Sequence, residues 1–283
     1  AVMRKLYCPL VSLFTLFFLP QLLFGQWRDF TSVSENIKAT DGVITEMRLE
    51  WLGDHRQVKA QLQGTMEIFA HKPAIKKISE GGRFVLEEKS GPLYRKLQVQ
   101  NGANGRRSYQ FAVQAEPAVF SAIAQKWFEN LLLEIVREAG INSRQRTEAI
   151  FAEQGERGIL REVDAIERER SKRFYYERLL SYESISDSTL YTIASRIGDE
   201  FTADTNLKIV ISEMVNGHKL STRTLLAVLR AIREVNNETT RANLLIDVAT
   251  ILPHDAAVHA AYEQIASSSR STVERQRALS AKK

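Results

Sequence analysis

The sequence predicts an α+β protein, an N-terminal antiparallel β domain followed by an α-solenoid of helical hairpins. Three observations predict it. From about residue 41 to 115 apolar residues alternate with polar ones, the pattern of strands with one buried and one wet face. After Pro117 the apolar period lengthens to that of a helix. Later, similar apolar helices return every 31 to 35 residues. Ile166, Ile197, Ile232 and Ile265 form one row of markers, and Leu179, Val210, Leu244 and Ala278 form a second. Units of this length bury their faces on their neighbours and are HEAT-like. The expected organisation is a signal peptide over 1–25, the β domain over 26–118, a helical linker region with the first helical pairs over 119–181, and helical repeats over 182–283.

The first 25 residues differ from the rest. Arg4 and Lys5 precede an apolar run from Leu6 to Gly25, and small Gly25 stands before Gln26. A basic start, an apolar middle and a small residue at the end describe a secretory signal cleaved between Gly25 and Gln26. Residues 6–25 are also long enough for an uncleaved membrane anchor, a reading that Pro9 and Pro20 weaken. On either reading the remainder is exported, to the periplasm or cell exterior. Cys8 is the single cysteine, so a chain starting at Gln26 has no thiol for a disulfide, a thiolate metal site or a nucleophile. The net charge of +5 includes Arg4 and Lys5; without those two it is +3, too little to indicate nucleic acid.

The strands follow in order. Met47, Leu49 and Trp51 alternate with Glu46, Arg48 and Glu50; Val58, Ala60 and Leu62 alternate with Lys59, Gln61 and Gln63. Phe84 and Leu86, then Leu97 and Val99, then Tyr109, Phe111 and Val113 continue the period of two. Gly53-Asp54, Gly81-Gly82, Ser90-Gly91-Pro92, Asn101-Gly102 and Asn104-Gly105 supply the turns. Such short connections predict an antiparallel meander or small sandwich and leave no room for crossover helices.

The first helix carries Ile123, Trp127, Leu131 and Ile135 on one stripe, with Gly140 to end it. Asn142 or Ser143 opens a second that ends near Gly155, and a third buries Ile159, Leu160, Val163 and Ile166 while Glu162, Glu167 and Glu169 sit among arginines on its wet face. Ser186 or Asp187 caps a helix with Leu190, Ile193 and Ile197, closed by Gly198. Asp204 caps the next, with Leu207, Val210, Ile211 and Met214. Ser221 caps a helix with Leu225, Val228, Leu229 and Ile232; Asn237 precedes one with Leu244, Leu245 and Val248; Val258, Ala261, Tyr262 and Ile265 mark another; and Ser271 opens a last.

No catalytic motif is present, and no cofactor or metal is expected. The histidines are scattered, and His254 and His259 fall on different sides of a helix. Glu87 and Glu88 point to opposite faces of a strand end and are read as solvated. Arg223, Arg230 and Arg233 form a basic row beside the Leu225-to-Ile232 stripe, and Arg173 and Tyr176 belong to the densest aromatic and basic cluster. These five residues are the candidate partner-binding surface. The basic tail from Arg270 to Lys283 is read as a solubilising terminus.

The stretch from Trp127 to Leu180 runs W-F-E-N-L-L-L-E-I-V-R-E-A-G-I, then R-Q-R-T-E-A-I-F-A-E-Q-G, then I-L-R-E-V-D-A-I, then K-R-F-Y-Y-E-R-L-L. It resembles a group of uncharacterised exported bacterial proteins in which a β region precedes helical repeats. Related repeats occur behind membrane-embedded sensor metallopeptidases of the antibiotic-response type. The matching positions are Trp127, Arg137, Gly140, Ile141, Arg144, Arg146, Gly155, Leu160, Glu162, Tyr176 and Leu179. The zinc motif of those peptidases is absent here, so the resemblance implies architecture and export and no catalysis. The expected function is an exported, non-enzymatic protein–protein interaction module with a protein or peptide partner and no nucleic acid. Two other readings are an accessory of an envelope-stress or antibiotic-sensing system, and a hydrolase of envelope polymers with paired carboxylates converging in a cleft.

Overall fold

Alternating side chains give the N-terminal part a single curled antiparallel sheet. The computed structural model describes residues 30–40, 42–70, 72–103 and 105–282; the segment expected to be a signal, with Cys8, Gly25 and Gln26, and His71, Asn104 and Lys283, lie outside them. The strands are β1 (Phe30–Thr40), β2 (Val43–Gly53), β3 (Arg56–Gln63), β4 (Met66–Ile68), β5 (Ile75–Ile78), β6 (Arg83–Ser90), β7 (Leu93–Asn101), β8 (Arg107–Val113) and β9 (Glu116–Ala118). Their order is β5-β4-β2-β3-β6-β7-β8-β9, with β1 on the other edge of β2. β6 to β9 form the expected meander. The departure lies at β2, which pairs with β3 through Met47–Leu52 and with β4 through Val43 and Ile44. Gly64, at φ +85°, separates β3 from β4, and the β4–β5 hairpin then leaves β3 free to pair with β6.

The sheet packs on a helix, not on a second sheet. α1 (Ala122–Glu138) buries Trp127, Phe128, Leu131, Leu132, Ile135 and Val136 against Trp51, Val58, Phe84, Leu86, Leu97, Val99 and Phe111. Each such side chain contributes about 1.5–3 kcal/mol by leaving water. Pro117 therefore marks a change of secondary structure but not of packing: α1 and Ile141 complete the core of the sheet. Ile123, expected on the buried stripe, is 83% exposed, because the stripe of α1 begins one residue later, at buried Ala124. Gly140 ends α1 as predicted. At φ +66° it donates its N–H to the Arg137 carbonyl, and the Ile141 N–H reaches the Val136 carbonyl, the paired bonds of a Schellman turn.

The rest is helical: α2 (Ser143–Asp164), α3 (Glu169–Leu180), α4 (Asp187–Glu200), α5 (Asp204–Gly217), α6 (Thr222–Arg233), α7 (Glu238–Ala249), α8 (Ala256–Ser267) and α9 (Thr272–Ala281). α2 breaks at Gly155, whose φ of 63° and ψ of −159° no helix accommodates. Contacts run between alternate helices, α4 to α6 to α8 in one layer and α3 to α5 to α7 to α9 in the other. All eight marker residues are buried between the layers. Gly198 lies inside α4 and does not close it; a Cβ there would stand 3.4 Å from the Ala231 Cα, so this glycine lets α4 and α6 approach closely.

Except at α8, which its own Asp255 caps, a carboxylate of one helix completes the start of the next helix in its layer. Glu169 accepts the N–H groups of Thr202 (2.8 Å) and Ala203 (3.1 Å) before α5. Asp204 accepts those of Asn236 (2.9 Å) and Asn237 (2.7 Å) before α7, and Glu238 those of Arg270 (2.8 Å) and Ser271 (2.7 Å) before α9. In the other layer Glu156 holds the N–H of Ser186 (3.0 Å), and Asp187 holds the hydroxyls of Ser221 (2.9 Å) and Thr224 (2.8 Å). Asp204 was expected to cap its own helix; the N-cap is Ala203, and the Asp204 carboxylate turns to the following unit. Unpaired donors at helix starts need such acceptors.

The sheet and the array meet through buried charge. Glu162, expected on a wet face, is buried and accepts from Arg137 Nε (2.9 Å), Arg137 Nη2 (2.7 Å) and Arg146 Nε (2.6 Å). Arg146 also donates to the Ala70 carbonyl (3.1 Å), and Arg168 pairs with Glu35 of β1 (2.6 Å). Glu138 accepts the N–H groups of Glu167 (2.9 Å) and Arg168 (3.0 Å), the same helix-start contact made from the sheet's own helix.

Candidate partner-binding surface

α6 turns Leu225, Ala227, Val228, Leu229, Ala231 and Ile232 inward, which leaves Arg223, Arg230 and Arg233 on its exposed side. Arg223 and Arg230 are seven residues apart, two turns on one face. Tyr191 of α4, one position off the stripe of Leu190, Ile193 and Ile197, reaches across to them. The Arg223 guanidinium carbon lies 3.6 Å from the centre of the Tyr191 ring, a close cation–π stack. The Tyr191 phenol is held below its ordinary pKa, first by Arg223 beside it, then by the Ser195 hydroxyl, with a smaller contribution from the charge of Arg230. Two guanidinium groups and two hydroxyls thus share one patch between α4 and α6.

Among the described residues, no carboxylate lies within ion-pairing distance of Arg223 or Arg230. Asp187, whose carboxyl Arg223 helps keep ionised, is held by Ser221 and Thr224. The arrangement suits an incoming anion: each guanidinium keeps free donors, and carboxylate or phosphate geometry matches its fork.

The other candidates stand elsewhere. Arg233 is exposed but paired with neighbouring Glu234 at 3.2 Å. Arg173 pairs with Glu177 at 2.5 Å and lies over the Phe174 ring at 4.7 Å. Tyr176 is buried and donates its hydroxyl to Glu200 at 2.9 Å, so its ring belongs to the core and not to a surface. Tyr191 and Ser195 were not singled out from sequence. The available signal was an aromatic residue standing off the apolar stripe of its helix.

Paired carboxylates do occur, at Glu88 and Glu134. Glu88, read as solvated, is buried on the helix-facing side of the sheet. It accepts from Arg56 Nε (2.8 Å), Arg95 Nη2 (2.7 Å) and Trp127 Nε1 (2.7 Å), while Arg56 forks onto Glu134 at 2.6 and 2.8 Å. Burial raises the Glu134 carboxyl above its ordinary range against the pull of Arg56. Arg56 bridges the two acids, so each carboxylate has a guanidinium beside it. Two open cavities lie away from them. One of about 420 Å³ runs between β1 and the α1–α2 turn, beside Glu35, Gly140, Arg144 and Arg170. Another of about 480 Å³ lies beside Glu67, Lys77, Glu80 and Asn101. His218 and His259 each bond a backbone carbonyl, of Leu180 (2.8 Å) and Pro253 (3.0 Å). Among the described residues no His, Cys, Asp or Glu cluster is arranged to hold a metal, and no helix is long and apolar enough to cross a membrane. Comparison with protein-family models, with curated proteins and with solved structures finds no match.

Proposed function

We propose that the protein is an exported, non-enzymatic interaction module whose α-solenoid binds an acidic protein partner across α4 and α6. The observation that carries this reading is the exposed patch of Arg223 and Arg230 around Tyr191 and Ser195, two cations without an acidic partner on a repeating helical scaffold. Stacked helical units serve as extended binding surfaces. The basic and apolar segment before Gln26 supports export, as does the resemblance of residues 127–180 to exported proteins with a β region ahead of helical repeats.

The test is a crosslinking pull-down from the native envelope with the whole exported chain, run beside R223E/R230E. Both side chains are exposed and outside the core, so the variant keeps the helical circular dichroism of the native protein. The expected result is a dominant protein recovered by the native chain and reduced about tenfold or more with the variant, the effect of 1.4 kcal/mol or more of lost charge pairing. Equal recovery by both baits removes the reading.

A further inference from the structure

The carboxylate contacts between units fix which residues occupy equivalent places in one layer. Glu156 holds the Ser186 cap of α4, and Asp187 holds the Ser221 cap of α6. Glu156 and Asp187 therefore correspond, and so do the residues that follow them, Arg157 and Ser188. Ser186 and Ser221 are matching N-caps, each accepting from the N–H three residues on, so Ser188 corresponds to Arg223. Arg157, Ser188 and Arg223 form a row across three neighbouring helices, and all three are exposed. The second half of α2 is tied to α4 by the Glu156–Ser186 bond and by the Arg196–Asp164 pair at 2.7 Å.

The row has positive ends and a hydroxyl between them. Among the described residues, Arg157, like Arg223 and Arg230, has no carboxylate within ion-pairing distance. Exposed Arg161, one turn on from Arg157, donates to the neutral Gln154 amide at 2.6 Å and adds to the positive end. At the matching place on α8 stands Ala257, so the basic row stops at α6. A single compact anion cannot touch both ends. α4 packs directly on α6, and α2 is joined to α4 by the Glu156–Ser186 and Asp164–Arg196 bonds, so at about 10 Å per helix Arg157 and Arg223, two helices apart, are separated by roughly 20 Å. An extended chain advances about 3.3 Å per residue and covers that span in about six residues. Its side chains alternate, so two acids facing the same surface must be an even number apart, which selects about six.

We infer that the ligand is an extended acidic peptide segment that crosses the helices, with one acidic cluster against Arg157 and a second, six residues away, against Arg223 and Arg230. This rests on the interaction-module reading and specifies its partner. Charge complementarity favours an acidic occupant, and the separation of the two basic ends favours a linear one with defined spacing.

The test uses the whole exported chain and two fluorescein-labelled synthetic peptides of identical composition. In one, two Glu-Ser-Glu clusters have their centres six residues apart; in the other, the four glutamates are contiguous. The expected result, by fluorescence anisotropy, is about tenfold tighter binding of the spaced peptide. R157E abolishes that advantage and leaves the contiguous peptide's affinity within about twofold. R157E lies on an exposed helical position, and retained circular dichroism confirms its fold. Equal affinity for both peptides, with R157E without effect on their ratio, overturns the spaced register and leaves the acidic-partner reading standing. Binding of neither peptide overturns both. Binding of a 20-base-pair DNA duplex, or of phosphatidylglycerol vesicles, as tight as that of the spaced peptide overturns the choice of a peptide.

Discussion

Glu88 gathers three donors in a place that water does not reach. Removing its carboxylate leaves Arg95 and Trp127 without their carboxylate acceptor and leaves Arg56 with Glu134 alone. Glu88→Ala is expected to cost about 3–5 kcal/mol in urea unfolding, the usual penalty for breaking a buried charge network. Glu88→Gln keeps one acceptor oxygen and is expected to cost less. Equal stability of both variants and the native chain would show that the network contributes nothing. Gly155 gives a second residue-scale prediction. Its φ of 63° with ψ of −159° is a region that only glycine enters easily, so Gly155→Ala is expected to cost about 1–3 kcal/mol although no atom lies within 4 Å of the added Cβ. At this scale the sequence was legible only in part. Arg223 and Arg230 could be picked out because they fall opposite an apolar stripe on their own helix. Tyr191 could not, because its contact with Arg223 depends on how α4 packs on α6. Glu88 and Glu162 were misread because the chain around a buried carboxylate looks like the chain around a solvated one; their donors come from Arg56, Trp127 and Arg137, far away in sequence.

The helices depend on carboxylates outside themselves. Burial alone would raise the carboxyls of Glu156, Glu169 and Asp187, but hydrogen bonds from Ser186, from Thr202 and Ala203, and from Thr224 and Ser221 outweigh it and hold each below its ordinary range. Glu238 is lowered chiefly by the Arg270 and Ser271 amides. A carboxylate whose folded pKa is depressed contributes stability above its unfolded pKa and loses it as pH falls through the folded value. The array is therefore expected to hold from neutral pH down to the ordinary carboxyl values of 4.5 for Glu and 3.8 for Asp, and to weaken below them. Burial raises Glu134 and Glu177, which work in the opposite direction over the pH range just above 4.5. Urea midpoints between pH 6 and pH 3, followed by helical circular dichroism, check this; a flat profile below pH 4 would refute it. Among the elements, β2, β3, β6, β7 and β8 were legible because one face is apolar and the other polar. β1 was not, because Phe30–Thr40 is polar along nearly its whole length and pairs only at an edge among the described residues. β4 and β5 span three and four residues, too short for a period to register.

At the scale of the whole molecule, two hydrophobic cores are joined by charge. The sheet with α1 forms one and the helices from Ile150 onward form the other. Arg137 reaches from α1 and Arg146 from the start of α2 to the same carboxylate, Glu162, and Arg146 extends to the Ala70 carbonyl in the sheet. Burial tends to raise that carboxyl, but the two arginines lower it, so Glu162 stays ionised. Glu162→Ala is expected to uncouple the halves, turning one thermal transition into two in differential scanning calorimetry. A single transition at the native temperature would place the coupling elsewhere.

The acid that serves a helix start comes from the preceding unit of the same layer, except at α8, which its own Asp255 caps, and the first, Glu138, comes from the helix that fills the sheet. In the layer of α3, α5, α7 and α9 each helix thus arrives with a socket already waiting, and α3, α5 and α7 each bring the plug for the successor. Copy number becomes adjustable. Excising one complete unit, or repeating it, leaves every acid of that layer opposite a helix start, whereas a cut of any other length strands one acid and one set of amides. Lengthening or shortening by whole units is the change this architecture tolerates, and the span between Arg157 and Arg223 would change with it in steps of one helix.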